Sequence, residues 1–492
     1  MLKIAESDKS DSKILKSSLN EQETFQNAKS SSFAKSSNAS NKSNLSNSYS
    51  ASDSSKLPTS VSARLGKLQF HLSGKFRVLQ FADVQDAPKI SKDTIKLIES
   101  ACDAVKPDIV IFSGNQIAGY AKDFANTFVR RRWDESQDDR GVDAHGVNDR
   151  GVDARKSNEK DLQDTRKKVL EHIKRMVKPL EDRSIPWALT YGNHDFQCGL
   201  SNAELDSLYQ EFSGCLNRQQ TDEAFSSGSA MSLPKSILPK QIIFPCKAGT
   251  FALPVMDVNQ EKVVFSIVLV DSGDYEKRGG YGSPSSNALD FLADLPNFLP
   301  PKFCVFQHFP LPQYYDLLRE VPKDCAAKEN AIEGYRRFAG KYYALDDNRV
   351  LPDGYLGEGV SCPDKDSGEY NILQKIGAFA FCAGHDHRNA FAGRCKDSGM
   401  LLMATATCGF ASYGPVASKC GARLLEFDIR HPYEPRTQML EFGDLVGKAS
   451  SKKAYTYGLN ADCSHDLPEV DLLQKPSLFA RILRRWRSIV AK

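Results

Sequence analysis

No Cys-x-x-Cys pair occurs among the twelve cysteines scattered from Cys102 to Cys463. That excludes a zinc ribbon or a thioredoxin-type dithiol and suits reduced thiols in a cytoplasmic protein. Long apolar runs are missing too: the longest, Val263 to Val270 with one serine inside it, is far too short to span a bilayer. The first residues, Met1-Leu2-Lys3-Ile4-Ala5-Glu6, contain no apolar signal core. Neither charge is in excess, since 65 Lys plus Arg stand against 62 Asp plus Glu for a net +3, so composition predicts no nucleic-acid partner. A soluble cytoplasmic protein is the expectation. The 492 residues suffice for a large core and for more than one folded unit.

What is present begins with a tail. Residues 1–62 are rich in Ser, Asn and Lys and cannot bury enough apolar surface to offset their ordering entropy. Leu68 to Leu72, the turn Ser73-Gly74-Lys75 and Phe76 to Phe81 read as a hairpin. A helix follows, with Ser91 as N-cap and Ile95, Ile98, Cys102 and Val105 on one face. After Pro107 comes the strand Asp108 to Phe112, parallel to the strand before the helix. Between residues 131 and 160 the pattern dissolves: Asp139-Arg140-Gly141-Val142-Asp143-Ala144 recurs at Asp149 to Ala154, two copies being too few for a solenoid. Further strands are expected at Pro186–Thr190, Val263–Val270, Phe303–Gln307, Ala378–Ala383, Met400–Thr405 and Ala422–Phe427, with residues 320–365 a long polar connection.

The chemistry lies at the strand ends. Asp83, Gln85, Asn115, Asn193, His194, His308, His385 and His387 all fall at or just past a predicted strand. A lone histidine is more often a satisfied turn or core residue. Five strand ends carrying nitrogen and oxygen ligands together point to a metal site at the carboxyl edge of a sheet.

Asp83-Val84-Gln85, Gly114-Asn115, Gly192-Asn193-His194-Asp195, His308 before Pro310 and Gly384-His385-Asp386-His387 resemble, in order and spacing, the calcineurin-like metallophosphoesterases, in the bacterial and fungal branch akin to purple acid phosphatases. The resemblance covers residues 66–446. It implies an α/β fold, a four-layer αββα sandwich of two mixed sheets flanked by helices, and two divalent metal ions (Mn, Fe or Zn). Asp83, Gln85, Asn115 and His387 would hold one. Asn115 as a bridge, Asn193, His308 and His385 would hold the other. His194 would protonate the leaving oxygen, with Asp195 orienting its ring. The chain departs from the family pattern twice, with Gln85 in place of His and Asn115 in place of a bridging Asp. Asp86 is a candidate substitute carboxylate, a solvated turn residue being the plainer reading.

Tyr281-Gly282 and Tyr413-Gly414 are candidate substrate-lining turns, although tyrosine in a glycine turn is commonplace. After a linker over 447–475, residues 476–492 place Leu478, Phe479, Ile482, Leu483, Trp486, Ile489 and Val490 on one helical face and Arg481, Arg484, Arg485, Arg487 and Lys492 on the other. That pattern fits an interfacial helix on an anionic membrane, or equally a helix docked on its own domain or a partner. The expected function is metal-dependent hydrolysis of a phosphorylated small-molecule or protein substrate. The alternative is a catalytically weakened homologue that binds a phosphorylated ligand or partner, or a membrane-surface scaffold.

Overall fold

The run Val263–Val270 forms a strand over those same bounds, and its alternation shows how the molecule is layered. Phe265, Ile267 and Leu269 point into one apolar cluster, Val268 and Val270 into another. A strand buried on both faces needs a packed layer on each. In the computed structural model, which describes residues 58–131, 159–218, 230–277 and 279–447, the chain runs as follows. It passes through α1 (Val61–Leu65), β1 (Lys75–Phe81), α2 (Lys92–Val105), β2 (Ile109–Ser113), α3 (Glu159–Glu181), β3 (Trp187–Thr190) and α4 (Asn202–Tyr209). Next come β4 (Met231–Ser232), β5 (Ile242–Lys247), β6 (Thr250–Met256), β7 (Val263–Val270), α5 (Ser286–Asp294), β8 (Phe303–Gln307), β9 (Leu318–Val321), β10 (Ile332–Glu333) and β11 (Tyr342–Leu345). Last are α6 (Glu369–Ile376), β12 (Ala378–Ala383), β13 (Ala392–Arg394), β14 (Leu401–Ala404), β15 (Gly421–Asp428), β16 (Arg436–Glu441) and α7 (Phe442–Leu445).

One sheet has the order β16-β15-β1-β2-β3, the other β13-β14-β12-β8-β7-β6-β5-β4. Both are mixed: β1, β2 and β3 run parallel while β15 pairs antiparallel to β1. Likewise β7, β8, β12 and β14 run parallel while β6 pairs antiparallel to β7. Phe76, Val78, Ile109 and Ile111 face the second sheet, whereas Leu79, Phe81, Val110 and Phe112 face α2 and α3. On the far side Leu292 of α5 and Leu373 and Ile376 of α6 cover the second sheet. This is a four-layer αββα sandwich. Each fully buried Leu, Ile, Val or Phe contributes about 1.5–3 kcal/mol. The parallel strands all end at one edge, and the candidate ligands stand there.

Several local expectations are corrected. The expected hairpin is confined to its turn, where His71 donates its N–H to the Lys75 carbonyl; before it Phe70 donates its N–H to Met256 and Met256 donates to Leu68, because Leu68 and Phe70 are drawn into the cluster between the sheets. Order begins before residue 66. Ser60 caps α1, and the Ser62 hydroxyl donates to Asp108 Oδ1 at 3.0 Å. The polar stretch 320–365 contains a small sheet of order β10-β11-β9. The rest of the tail, the duplicated insertion and the basic C-terminal helix lie outside the described residues. No helix among the described residues is long and apolar enough to cross a membrane.

His172 of α3 is a buried histidine with two backbone acceptors, Nδ1 lying 3.0 Å from the Ala87 carbonyl and Nε2 3.0 Å from that of Gln116. Burial pushes its pKa from 6.5 down to about 4. The folded state therefore binds this proton later than the unfolded chain as pH falls, and stability drops between pH 6.5 and 4. The loss approaches about 3 kcal/mol at the bottom of that window. Urea denaturation should show a shallower fall over this range in His172→Leu than in the parent, and equal slopes would remove His172 from the account.

Candidate metal centre

The parallel registers bring the strand ends together: Phe81 stands beside Phe112, Ser113 beside Thr190, and Gln307 beside both Val270 and Ala383. The residues that follow turn sharply. Asp83, Gln85, Asn115 and His385 all have positive φ, at 54°, 40°, 52° and 70°. Such conformations cost about 1–3 kcal/mol each and persist only where the surroundings impose them. Glycines make room beside them. A Cβ on Gly192 would lie 2.7 Å from both Asn115 N and His308 Nε2.

Four donor atoms converge. Asp83 Oδ1 lies 3.3 Å from His387 Nε2 and 3.9 Å from His308 Nε2, and His308 Nε2 lies 3.1 Å from Asn193 Oδ1. Both imidazoles are pinned through the other nitrogen, His308 Nδ1 to the Ser113 carbonyl at 3.0 Å and His387 Nδ1 to the Tyr413 carbonyl at 2.6 Å. That outer contact turns each ring so that Nε2 faces inward. Burial pushes His308 down to about 4, so its imidazole is neutral near pH 7. With its proton on Nδ1, facing the Ser113 carbonyl, the Nε2 lone pair is left towards Asn193 Oδ1. Burial by itself would push the Asp83 carboxyl up, but the positive charge and hydrogen bond of a protonated His387, itself raised beside Asp83, outweigh it and hold Asp83 well below the usual carboxylate range.

The remaining expected ligands are placed differently. Asn115 Oδ1 accepts the His194 backbone N–H at 2.9 Å, which fixes the amide: its Nδ2 donates to Asp83 Oδ1 and to Asn193 Oδ1, each at 3.2 Å. Asn115 thus stands between the two donor pairs, where the resemblance puts a bridge, but presents N–H groups and no oxygen. Gln85 uses its amide on the Tyr120 hydroxyl at 3.0 Å and the Ser412 hydroxyl at 3.4 Å. The His385 ring is wedged against Tyr281, Phe309 and His308. No group of three or more His, Cys, Asp or Glu placed to hold a metal ion is found among the described residues. The expected ligands whose donor atoms lie nearest one another are Asp83, His308, His387 and Asn193, with the Asn115 N–H groups among them.

His194 is half-buried and its Nδ1 pairs with Gln197 Oε1 at 2.8 Å, Gln197 being oriented in turn by donating to the Arg130 carbonyl. Asp195 does not orient that ring. Its oxygens accept the backbone N–H groups of Asn115, Gly192 and Ile117 at 2.8–3.0 Å, and so tie the β2 and β3 ends together. Burial pushes its carboxyl up to about 7 despite those amides. Asp86 is neither solvated nor a ligand: it is buried and accepts from the Ser91 N–H and the Thr94 hydroxyl at the start of α2. Sequence reasoning missed Gln197, whose spacing from His194 was a usable signal. It also missed Glu358, which accepts the Arg388 N–H at 3.0 Å and whose carboxyl is pushed up by burial beside His387. A lone Glu in a polar stretch carried no signal.

This fold and strand-end constellation are compatible with the calcineurin-like metallophosphoesterase superfamily, and two distant relatives, both named as phosphatases, are consistent with it. The chain is 20% identical over 400 residues to the probable inactive purple acid phosphatase 29 of Arabidopsis thaliana, covering 76% of this chain and 82% of that protein. It is 20% identical over 349 residues to phosphatase DCR2 of Saccharomyces cerevisiae, covering 66% of this chain but only 46% of the yeast protein. No protein-family model matches. A solved structure titled GAP50, the anchor in the inner membrane complex of Plasmodium, aligns over 80% of this chain and 98% of its own with a TM-score of 0.36 and 11% identity.

Proposed function

We propose that this chain is a metal-dependent phosphoesterase acting with one firmly held divalent cation. The observation that carries the reading is the proximity of four buried ligand-type atoms: His308 Nε2 lies 3.1 Å from Asn193 Oδ1 and 3.9 Å from Asp83 Oδ1, which lies 3.3 Å from His387 Nε2. A cation there supplies Lewis acidity to the phosphoryl group. The protein's own part is positional and protonic. Asp195 and the Asn115 amide hold the strand ends, and Gln197 takes the Nδ1 proton of His194 so that Nε2 is the atom that gains and gives a proton. A second reading, a weakened homologue that binds a phosphorylated ligand, is favoured by the Asn115 N–H groups at the bridging position. Elemental analysis with hydrolysis of aryl phosphate mono- and diesters in added Mn²⁺ or Zn²⁺ separates them. About one tightly held metal per chain and metal-dependent hydrolysis are expected. Absence of both leaves the second reading.

If His194 is the acid, His194→Ala should lower turnover most for esters with poor leaving groups, by about 10²–10⁴-fold, and less for activated aryl esters. Equal losses across a leaving-group series would remove that role.

A further inference from the structure

Two half-buried arginines flank the donor set at its opposite ends, each one aromatic ring further out. At one end Asn193 Nδ2 donates to the Tyr275 hydroxyl at 2.7 Å, and the Arg131 guanidinium lies over the Tyr275 ring, 5.4 Å from its centroid. At the other, the Tyr413 ring stacks on His387 at 4.1 Å and 7°, and the Arg388 guanidinium lies over Tyr413 at 5.7 Å. Arginines elsewhere have carboxylate partners, as Arg183 has Asp103 and Arg430 has Asp428. Among the described residues Arg131 makes no ion pair or hydrogen bond through its guanidinium. Arg388 uses only Nε, on the Gly414 carbonyl at 3.2 Å, while Glu358 takes its backbone N–H and not the guanidinium. A guanidinium lying on an aromatic face keeps its planar N–H edge free, and that edge matches the two oxygens of a phosphate.

Resting on the phosphoester reading above, we propose that the site takes small-molecule esters carrying more than one phosphate. One phosphate sits at the Asp83–His308 centre, and Arg131 or Arg388 receives another. The two arginines are then specificity-determining residues, outside the groups that hold the cation or move the proton.

The test is calorimetric titration of the full chain, equilibrated with Mn²⁺, with inorganic phosphate and with tripolyphosphate. Tripolyphosphate should bind at least ~10-fold more tightly, because each charge-assisted contact to an added phosphate strengthens binding by about that factor or more. In Arg131→Gln/Arg388→Gln the two anions should come within about threefold of each other, with phosphate affinity and melting temperature unchanged. Arg388→Lys, which keeps the charge but not the planar edge, should fall between and guards against a double variant that does not fold. Phosphate binding without a tripolyphosphate preference, or a preference that survives both substitutions, would overturn the inference and leave the phosphoester reading standing. Binding of neither anion would overturn both.

Discussion

Replacing Asn115 by aspartate should raise bound Mn²⁺ towards two per chain. One oxygen of the new carboxylate keeps the 2.9 Å bond from the His194 N–H, which is indifferent to amide or acid. The other takes the place of Nδ2, 3.2 Å from both Asp83 Oδ1 and Asn193 Oδ1. Two hydrogen bonds become two repulsive contacts, one of them between carboxylates. Two dications ~4 Å apart repel by about 15–20 kcal/mol at an effective dielectric near 20, and an anion between them offsets much of that. The metal-free variant should therefore melt below the parent. Mn²⁺ should raise its melting temperature by more than it raises the parent's, with affinity for the second ion up by ~10-fold or more. Parent protein holding two ions as tightly as the variant would show that the amide is no handicap.

Gly114→Ala should cost the protein both stability and bound metal. Gly114 has φ +96°, and a Cβ there would lie 2.6 Å from Cγ and 2.8 Å from Cβ of His308. Backbone strain of about 1–3 kcal/mol adds to an overpacking cost of about 1–3 kcal/mol. The ring that must move is the one anchored on the Ser113 carbonyl. A loss of about 2–5 kcal/mol in urea denaturation, with loss of bound metal, is the expected result. Gly340 is the control: its φ is +84° with nothing within 4 Å of an added Cβ, so Gly340→Ala should show the backbone cost alone and keep its metal. Equal costs at the two positions would mean that the His308 ring relaxes freely.

Strand-end chemistry was legible because it follows from local pattern. The bounds of β7 and the parallel unit β1-α2-β2 appear where apolar periodicity and turn residues put them, and the four-layer arrangement is the one the resemblance implied. Asp83, Asn193, His308 and His387 stand near one another past those strand ends. The partner of a buried polar group was less legible. Asp195 follows His194 directly, which suggests a pair, yet its oxygens go to amides of two different strand ends. Leu68–Leu72 has the alternation of a hairpin arm, but burial between the sheets outweighed the short turn.

Sequence alone determined which chemical groups stand at the carboxyl edge of the sheets, since apolar runs and the glycines that end them are local features. It also determined that one carboxylate, Asp83, would stand where the resemblance expects more. Only the tertiary structure decided which way each group faces. The oxygen and nitrogen of an asparagine amide are nearly the same size, so nothing local orients it. The His194 N–H, 79 residues away, turns the Asn115 oxygen towards itself and its nitrogen towards the centre. The same holds for the imidazoles, whose inward nitrogen is set by the carbonyls of Ser113, at the end of β2, and of Tyr413, in the loop before β15. Orientation depends on a partner brought in by the fold, and the fold alone places that partner.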